Sequence, residues 1–138
     1  MKPFEWQEAP AADFAVIGDP VAHSRSPQMH NAAFKALGLD FKYVAVHVPP
    51  GEVKAALSHL AELGYQGINV TVPHKEEAIG WCLHVDKFVT EVQAVNTIDL
   101  ERKAGINTDA GGFLATLPEL PTKTALVLGA GGSARALA

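Results

Sequence analysis

Two serines one residue apart lie in the polar segment Gly18-Asp-Pro-Val-Ala-His-Ser-Arg-Ser-Pro-Gln-Met-His-Asn31, between an apolar run and a helical pattern. The hydroxyls of Ser24 and Ser26, together with the free N–H groups of a helix start, suit an anion such as a carboxylate. Ser26 before Pro27 is also typical of a helix N-cap followed by proline in the first turn. Capping accounts for one serine and not for both, so the segment is a candidate carboxylate-binding site.

A candidate ligand-binding lysine ends the segment Gly67-Ile-Asn-Val-Thr-Val-Pro-His-Lys75. Asn69 and Thr71 fall on one face of the predicted strand because strand side chains alternate with a period of two. Such a polar pair is costly in an apolar strand unless it is hydrogen-bonded. Lys75 then stands at the carboxyl edge of the sheet, where open α/β folds bind ligands. The plain alternative is that both polar residues bond neighbouring backbone and that Lys75 is a solvated residue at a helix start.

Two Asn-Thr pairs follow at later strand ends, in Ala94-Val-Asn-Thr97 and in Gly105-Ile-Asn-Thr-Asp109. Asp109 taken alone is typical of a helix N-cap. Four polar motifs at successive strand ends are difficult to explain as four unrelated caps. The sequence therefore predicts a polar site along one edge of a sheet.

A glycine loop follows the apolar run Thr124–Leu128, in Gly129-Ala-Gly-Gly-Ser-Ala134. Gly129, Gly131 and Ala134 occupy the three marked positions of the dinucleotide-binding pattern, whose glycines let a diphosphate approach a helix start. A generic strand-to-helix turn is the alternative. A complete βαβ unit needs roughly 30 residues, so we expect the chain to be the front part of a longer enzyme. The run Thr124–Leu128 would then be disordered, packed on the preceding residues or paired with a second copy in a homodimer.

Short β-like runs alternate with amphipathic runs along the chain, which predicts an α/β fold with a mostly parallel sheet. The strands are predicted over Phe14–Gly18, Lys42–Val48, Gly67–Val72, Ala94–Leu100, Gly105–Asn107 and Thr124–Leu128. The helices are predicted over Pro27–Leu37, Gly51–Leu63, Glu76–Cys82 and Gly111–Leu117, with a last one near Gly132. Two runs around Glu101-Arg-Lys103 predict a hairpin, which makes the sheet mixed. Prolines between Leu117 and Thr122 predict a boundary.

Composition limits the partners. The net charge of the 138-residue chain is −4 and its basic residues are scattered, so no nucleic-acid partner is expected. No segment has the apolar length of a membrane span and the first residues lack a signal-peptide pattern, which indicates a soluble, cytoplasmic chain. The six histidines lack the close spacing of a zinc site, so no metal is expected. The single Cys82 excludes an internal disulfide and is expected to be a buried apolar residue.

These motifs together resemble the shikimate dehydrogenases, in family order and over nearly the whole chain. The matching residues are Gly18–Asn31, Asn69–Lys75, Ala94–Thr97, Asn107–Asp109 and Gly129–Gly132. The resemblance implies an oxidoreductase of aromatic amino acid biosynthesis that interconverts 3-dehydroshikimate and shikimate with NADP(H). It implies a three-layer α/β sandwich with a mostly parallel mixed sheet as substrate-binding domain over residues 1–118. The start of an NADP-binding Rossmann domain would occupy residues 119–138.

The resemblance also assigns roles. Ser24 and Ser26 would hold the substrate carboxylate, and Lys75 would transfer the proton, kept cationic by Asp109 beside it. The ring hydroxyls and the reacting oxygen would be contacted by Asn69, Thr71, Asn96 and Asp109. The cofactor diphosphate would lie on Gly129, Ala130, Gly131, Gly132, Ser133 and Ala134. A quinate or quinate/shikimate dehydrogenase is the nearest alternative, and a catalytically inactive substrate-binding fragment is another.

Overall fold

The computed structural model describes residues 2–117, 124 and 126–138. Its centre is a seven-stranded sheet in the order β1-β3-β2-β4-β6-β7-β5. The strands are β1 (Phe4–Glu5), β2 (Phe14–Gly18), β3 (Tyr43–His47), β4 (Gly67–Val70), β5 (His84–Val85), β6 (Thr97–Asp99) and β7 (Ala104–Ile106). The pairs β4/β6 and β6/β7 are antiparallel, and the other four pairs are parallel. The mostly parallel mixed sheet and the hairpin are therefore confirmed.

Helices cover both faces of the central strands. They are α1 (Ser26–Ala36), α2 (Val53–Glu62), α3 (Lys87–Val92), α4 (Asp109–Thr116) and α5 (Gly132–Leu137), with 3₁₀ turns at Trp6–Glu8 and Glu77–Trp81. Among the described residues, no helix is long and apolar enough to cross a membrane.

The core follows from the alternation of side chains along β2, β3 and β4. Ala15, Ile17 and Val46 face α2 and pack with its buried Leu57 and Leu60. A smaller cluster on the other face, under α1, is formed by Val16, Val21, Tyr43 and Ala45, with Phe14 and Phe34 beside it. Because both faces are covered, these strands are apolar almost throughout, as parallel strands are.

Several predicted boundaries are wrong. The predicted helix Glu76–Cys82 is a 3₁₀ turn, and the run Ala94–Leu100 is a strand only over Thr97–Asp99 because Val95 N–H bonds instead to the carbonyl of Lys75. In the run Thr124–Leu128, the described residues 126–128 lie outside any strand, with Leu126 and Leu128 more than four-fifths exposed. A strand needs a hydrogen-bonded neighbour, and no described strand lies beside them.

Candidate active site

Lys75 and Asp109 form an ion pair beyond the carboxyl ends of β4 and β7. The ammonium Nζ lies 2.6 Å from Asp109 Oδ2, and the two side chains are 12% and 25% exposed. Because β4 and β7 both run antiparallel to β6, which lies between them, they end on the same side of the sheet and the loops that follow them meet at one edge. The pair therefore presents a largely buried ammonium with a fixed counter-ion at the edge where the sequence predicted a site.

Asn96 orients Asp109. Its Nδ2 donates to Asp109 Oδ1 at 2.8 Å, and its Oδ1 accepts the N–H of Thr108 at 3.1 Å. Thr108 is the N-cap of α4 and Asp109 is its first residue, so the interpretation of Asp109 as a simple N-cap is wrong. Both carboxylate oxygens have a donor, one from Lys75 and one from Asn96, which fixes the carboxylate in place.

His74 anchors the turn that carries Lys75, a role that the sequence analysis did not assign. The side chain is fully buried, and its Nε2 lies 2.7 Å from the carbonyl oxygen of Val48. Since a carbonyl only accepts, Nε2 carries the hydrogen. Val95 N–H donates to the carbonyl of Lys75 at 2.8 Å, so the lysine backbone is held on both sides. A histidine directly before the candidate lysine, after an apolar strand, was the available signal.

Asn69 is hydrogen-bonded through both ends of its amide. The hydroxyl of Tyr43 donates to Oδ1 at 2.6 Å, and Nδ2 donates to Thr97 Oγ1 at 3.1 Å. Burial raises the pKa of Tyr43, so the phenol is the donor. Thr71 lies one residue beyond the end of β4, and its methyl group packs on the backbone of Gly18. Asn69 is therefore satisfied mainly by side chains and not by neighbouring backbone.

The serine segment begins α1 differently from the prediction. Arg25 is the N-cap, without a side-chain bond, and Ser26 is the first helical residue, so Ser26 is not the cap. The Oγ of Ser24 accepts the N–H of Ser26 at 3.3 Å, and Met29 N–H closes the first turn on the carbonyl of Arg25. Ser24 and Arg25 line a cavity of about 250 Å³ with His23 and Gln28. A hydroxyl and a guanidinium in one cavity suit an anion.

The glycine loop lies against Lys75. Lys75 Nζ donates to Ser133 Oγ at 3.1 Å, and a cavity of about 220 Å³ is lined by Lys75, Glu76, Gly131, Gly132 and Ser133 together with Val72 and Pro73. Gly129 has a φ of +128°, which favours glycine, and a Cβ on Gly131 would meet no atom within 4 Å. The backbone is therefore open to a diphosphate, so the residues present fit the expected cofactor.

The candidate residues divide into two groups. Lys75, Asp109, Asn96 and Ser133 are linked by hydrogen bonds, and Asn69 reaches this group through Thr97, which bonds to Asn96 Oδ1 at 2.9 Å. Ser24 lines a separate cavity. In the part of the chain that the structure describes, no group of three His, Cys, Asp or Glu side chains could hold a metal. Cys82 is half-buried, and burial raises the pKa of its thiol.

Comparisons with known proteins identify one family that this chain resembles. A family model described as the substrate binding domain of shikimate dehydrogenase matches residues 16–98. A shikimate dehydrogenase (NADP(+)) from Moorella thermoacetica is 50% identical over 130 residues, covering 90% of this chain and 44% of that protein. The counterpart from Methanopyrus kandleri is 47% identical over 129 residues, which are 88% of this chain and 44% of that protein.

Solved structures give the same result. The shikimate dehydrogenase of Thermus thermophilus in complex with shikimate has a TM-score of 0.83 and 40% identity, covering 91% of this chain and 50% of that one. The enzyme of Aquifex aeolicus has a TM-score of 0.83 and 43% identity over the same shares. The chain therefore spans about half the length of the relatives that it matches.

Proposed function

The chain belongs to the shikimate dehydrogenase family, and we propose that it is the substrate-binding part of an oxidoreductase that reduces 3-dehydroshikimate to shikimate with NADPH. The observation that carries this function is the Lys75–Asp109 pair, 2.6 Å apart and largely buried at the carboxyl edge of the sheet. Relatives named as NADP-dependent shikimate dehydrogenases support both the substrate and the cofactor. The reaction belongs to the shikimate pathway of aromatic amino acid biosynthesis.

The substrate is held at two places. Ser24 and Ser26 receive the carboxylate, and the positive charge of Arg25, which shares a cavity with Ser24, supports this. Asn69, Thr71, Asn96 and Asp109 receive the ring hydroxyls and the reacting oxygen. The serine segment follows β2 and Thr71 follows the neighbouring parallel strand β4, so both segments begin at the same edge of the sheet.

Lys75 handles the proton. NADPH, when bound, supplies the hydride that is added to the ring carbonyl carbon. Negative charge then grows on the carbonyl oxygen, and a positioned ammonium stabilises it and delivers a proton to it. Asp109 holds the ammonium in place through a contact of 2.6 Å between Nζ and Oδ2. Asn96 keeps the carboxylate from turning away.

The glycine loop would hold the cofactor diphosphate through Gly129, Ala130, Gly131, Gly132, Ser133 and Ala134. Residues 1–118 would form the substrate-binding domain, and residues 119–138 the beginning of the cofactor domain. The single free cysteine suits a reducing, cytoplasmic compartment. Pairing of the exposed run Leu126–Leu128 with a second copy would give a homodimer, which sedimentation velocity tests.

Calorimetric titration of this chain with shikimate and with quinate tests the binding role. We expect saturable binding of shikimate and weaker binding of quinate, and weaker binding of shikimate to Ser24→Ala. The matched control is Lys87→Ala, which removes a lysine whose side chain is 90% exposed on α3. Tighter binding of quinate would favour the quinate/shikimate alternative. The absence of binding to the folded chain would contradict a preformed substrate site.

Turnover tests the role of Lys75 in an enzyme that joins this chain to a complete cofactor domain. Lys75→Ala is expected to lower kcat about 10³-fold, the size of a lost acid–base group, and to change KM for shikimate far less. Lys87→Ala should leave both unchanged. Near-normal turnover of Lys75→Ala would refute the assignment.

A further inference from the structure

The buried phenol of Tyr43 lies at the meeting point of the serine segment and Asn69. Its side chain is 3% exposed, and its hydroxyl donates to Asn69 Oδ1 at 2.6 Å. One hydroxyl of a buried side chain therefore holds a residue that is expected at the substrate ring.

Two further residues of α1 fix the position of this tyrosine. The ring of His30 stacks on the Tyr43 ring, with centroids 4.4 Å apart and planes 11° from parallel. The Nδ2 of Asn31 donates to the Tyr43 carbonyl at 2.8 Å, and Asn31 Oδ1 accepts the Tyr43 N–H at 2.9 Å. The helix that carries Ser26 is thus attached to β3 through the same tyrosine.

The bond to Asn69 decides which way its amide faces. An amide presents an acceptor at one end and a donor at the other, and the two ends have nearly the same shape. A neutral phenol that donates to Oδ1 leaves Nδ2 pointing to Thr97, where it bonds at 3.1 Å. Without the phenol, Oδ1 loses its donor, and the amide is held only through Nδ2, by Thr97 Oγ1 at 3.1 Å and by the carbonyl oxygen of Asn96 at 3.5 Å.

We propose that Tyr43 is a positioning residue of the substrate site, which sets the amide orientation of Asn69 and ties it to helix α1 through His30 and Asn31. The role of these residues toward substrate rests on the proposed function. The orientation of Asn69 itself does not, because every contact that fixes it is within the chain.

Tyr43→Phe tests the proposal, with Tyr65→Phe as the matched control. Tyr65 is also 3% exposed, and its hydroxyl also makes a 2.6 Å bond, but to the carbonyl of Pro10 and not to Asn69. Both variants should lose similar stability to urea. Only Tyr43→Phe should raise the Kd of shikimate, by about tenfold, the effect of one hydrogen bond on affinity. An equal change in Kd for both variants, or none for Tyr43→Phe, would overturn the proposal.

A double-mutant cycle separates positioning from general loosening. If Tyr43 acts through Asn69, Tyr43→Phe should change the Kd of Asn69→Ala by less than about twofold, because the group it orients is gone. A full, additive loss in the Asn69→Ala background would show that the tyrosine acts elsewhere.

An NMR measurement without ligand covers the case in which shikimate does not bind. In the unchanged chain, the δ-amide protons of Asn69 should show a nuclear Overhauser effect to the side chain of Thr97. Tyr43→Phe should weaken it and Tyr65→Phe should not. An unchanged effect in Tyr43→Phe refutes the orienting role, whereas loss of shikimate binding by the unchanged chain contradicts only the proposed function.

Discussion

Replacing Arg135 by glutamine is expected to release helix α5 from α3 and from the turn beside Lys75. The guanidinium makes three contacts across this boundary. Its Nε donates to the carbonyl of Val92 at 2.9 Å, and its Nη2 donates to the carbonyl of Gln93 at 3.0 Å. Nη2 also lies 2.7 Å from Glu76 Oε1. Because the contacts reach both α3 and the turn after Lys75, Arg135 adds to the Lys75–Ser133 bond in holding the glycine loop in place.

The expected loss is about 2 kcal/mol of docking free energy. Each carbonyl bond contributes about 1 kcal/mol, and the ion pair contributes less than about 1 kcal/mol because the Arg135 side chain is 36% exposed. Glutamine retains one N–H donor group on a shorter side chain, so part of the hydrogen bonding can be kept. A change of about 2 kcal/mol shifts the equilibrium constant between docked and released α5 about 30-fold toward release.

The assay is an NMR contact between α5 and the site. A Cβ built on Gly132 would lie 2.9 Å from Ala94 Cβ, so the α-protons of Gly132 should show an Overhauser effect to the Ala94 methyl group. Arg135→Gln should abolish it, and Arg135→Lys should retain part of it. Arg102→Gln is the control, since Arg102 is 79% exposed and pairs only locally with Asp99. An undiminished effect in Arg135→Gln would mean that apolar packing alone docks the helix.

Three further outcomes are expected for the stability of the chain, measured by urea unfolding. Gly105→Ala should lower the free energy of unfolding by about 1–3 kcal/mol because its Cβ would lie 2.7 Å from a methyl of Val95. Gly111→Ala, in open space on α4, should raise it by about 0.5–1 kcal/mol, and equal effects of the two variants would contradict the packing. Bonding to Glu5 raises the pKa of His47, so the protonated ring stabilises the fold fully below about pH 6.5, and this stabilisation is lost as the pH rises through the folded-state pKa. His47→Gln should therefore lower the free energy of unfolding by up to about 1 kcal/mol at pH 6 and not at all at pH 9. The backbone N–H of Arg102 lowers the pKa of the Asp99 carboxyl, so the carboxylate stabilises the fold above about pH 3.8 and this stabilisation is lost as the pH falls. The loss in free energy of unfolding caused by Asp99→Asn should therefore shrink on acidification, and a loss that grows would contradict the linkage.

Local sequence signals located the central elements. The runs that became β2 and β3 are apolar almost throughout and bounded by polar residues, so their type and position were predictable to within a residue. Helix α3 was missed because Lys87–Val92 contains three β-branched residues, although Asp86 caps it through a 2.7 Å bond from the N–H of Val89. The strand β1 has only two residues and is defined by its hydrogen-bonded pairing with β3, which no local sequence pattern predicts.

The candidate site was predictable as a set of residues and not as a set of contacts. Asp109 was identified beside Lys75 by resemblance, and the 2.6 Å pair agrees with it. The partners that orient the site, His74 and Tyr43, were missed because their roles depend on atoms 26 residues away in sequence, in Val48 and Asn69 respectively. The position of His74 directly before Lys75 was a local signal, but Tyr43 has no local pattern that distinguishes it from an ordinary core side chain.

The sequence by itself determined the α/β class, the family and the set of candidate site residues, because periodicity and motifs are local properties of the chain. The tertiary structure alone decided which of those residues touch, which end of the Asn69 amide faces Tyr43 and that Leu126–Leu128 lies outside the sheet. These features depend on which groups distant in sequence come within hydrogen-bond distance. A hydrogen bond over about 3 Å is sensitive to shifts of a few tenths of an ångström, which only the packed fold specifies.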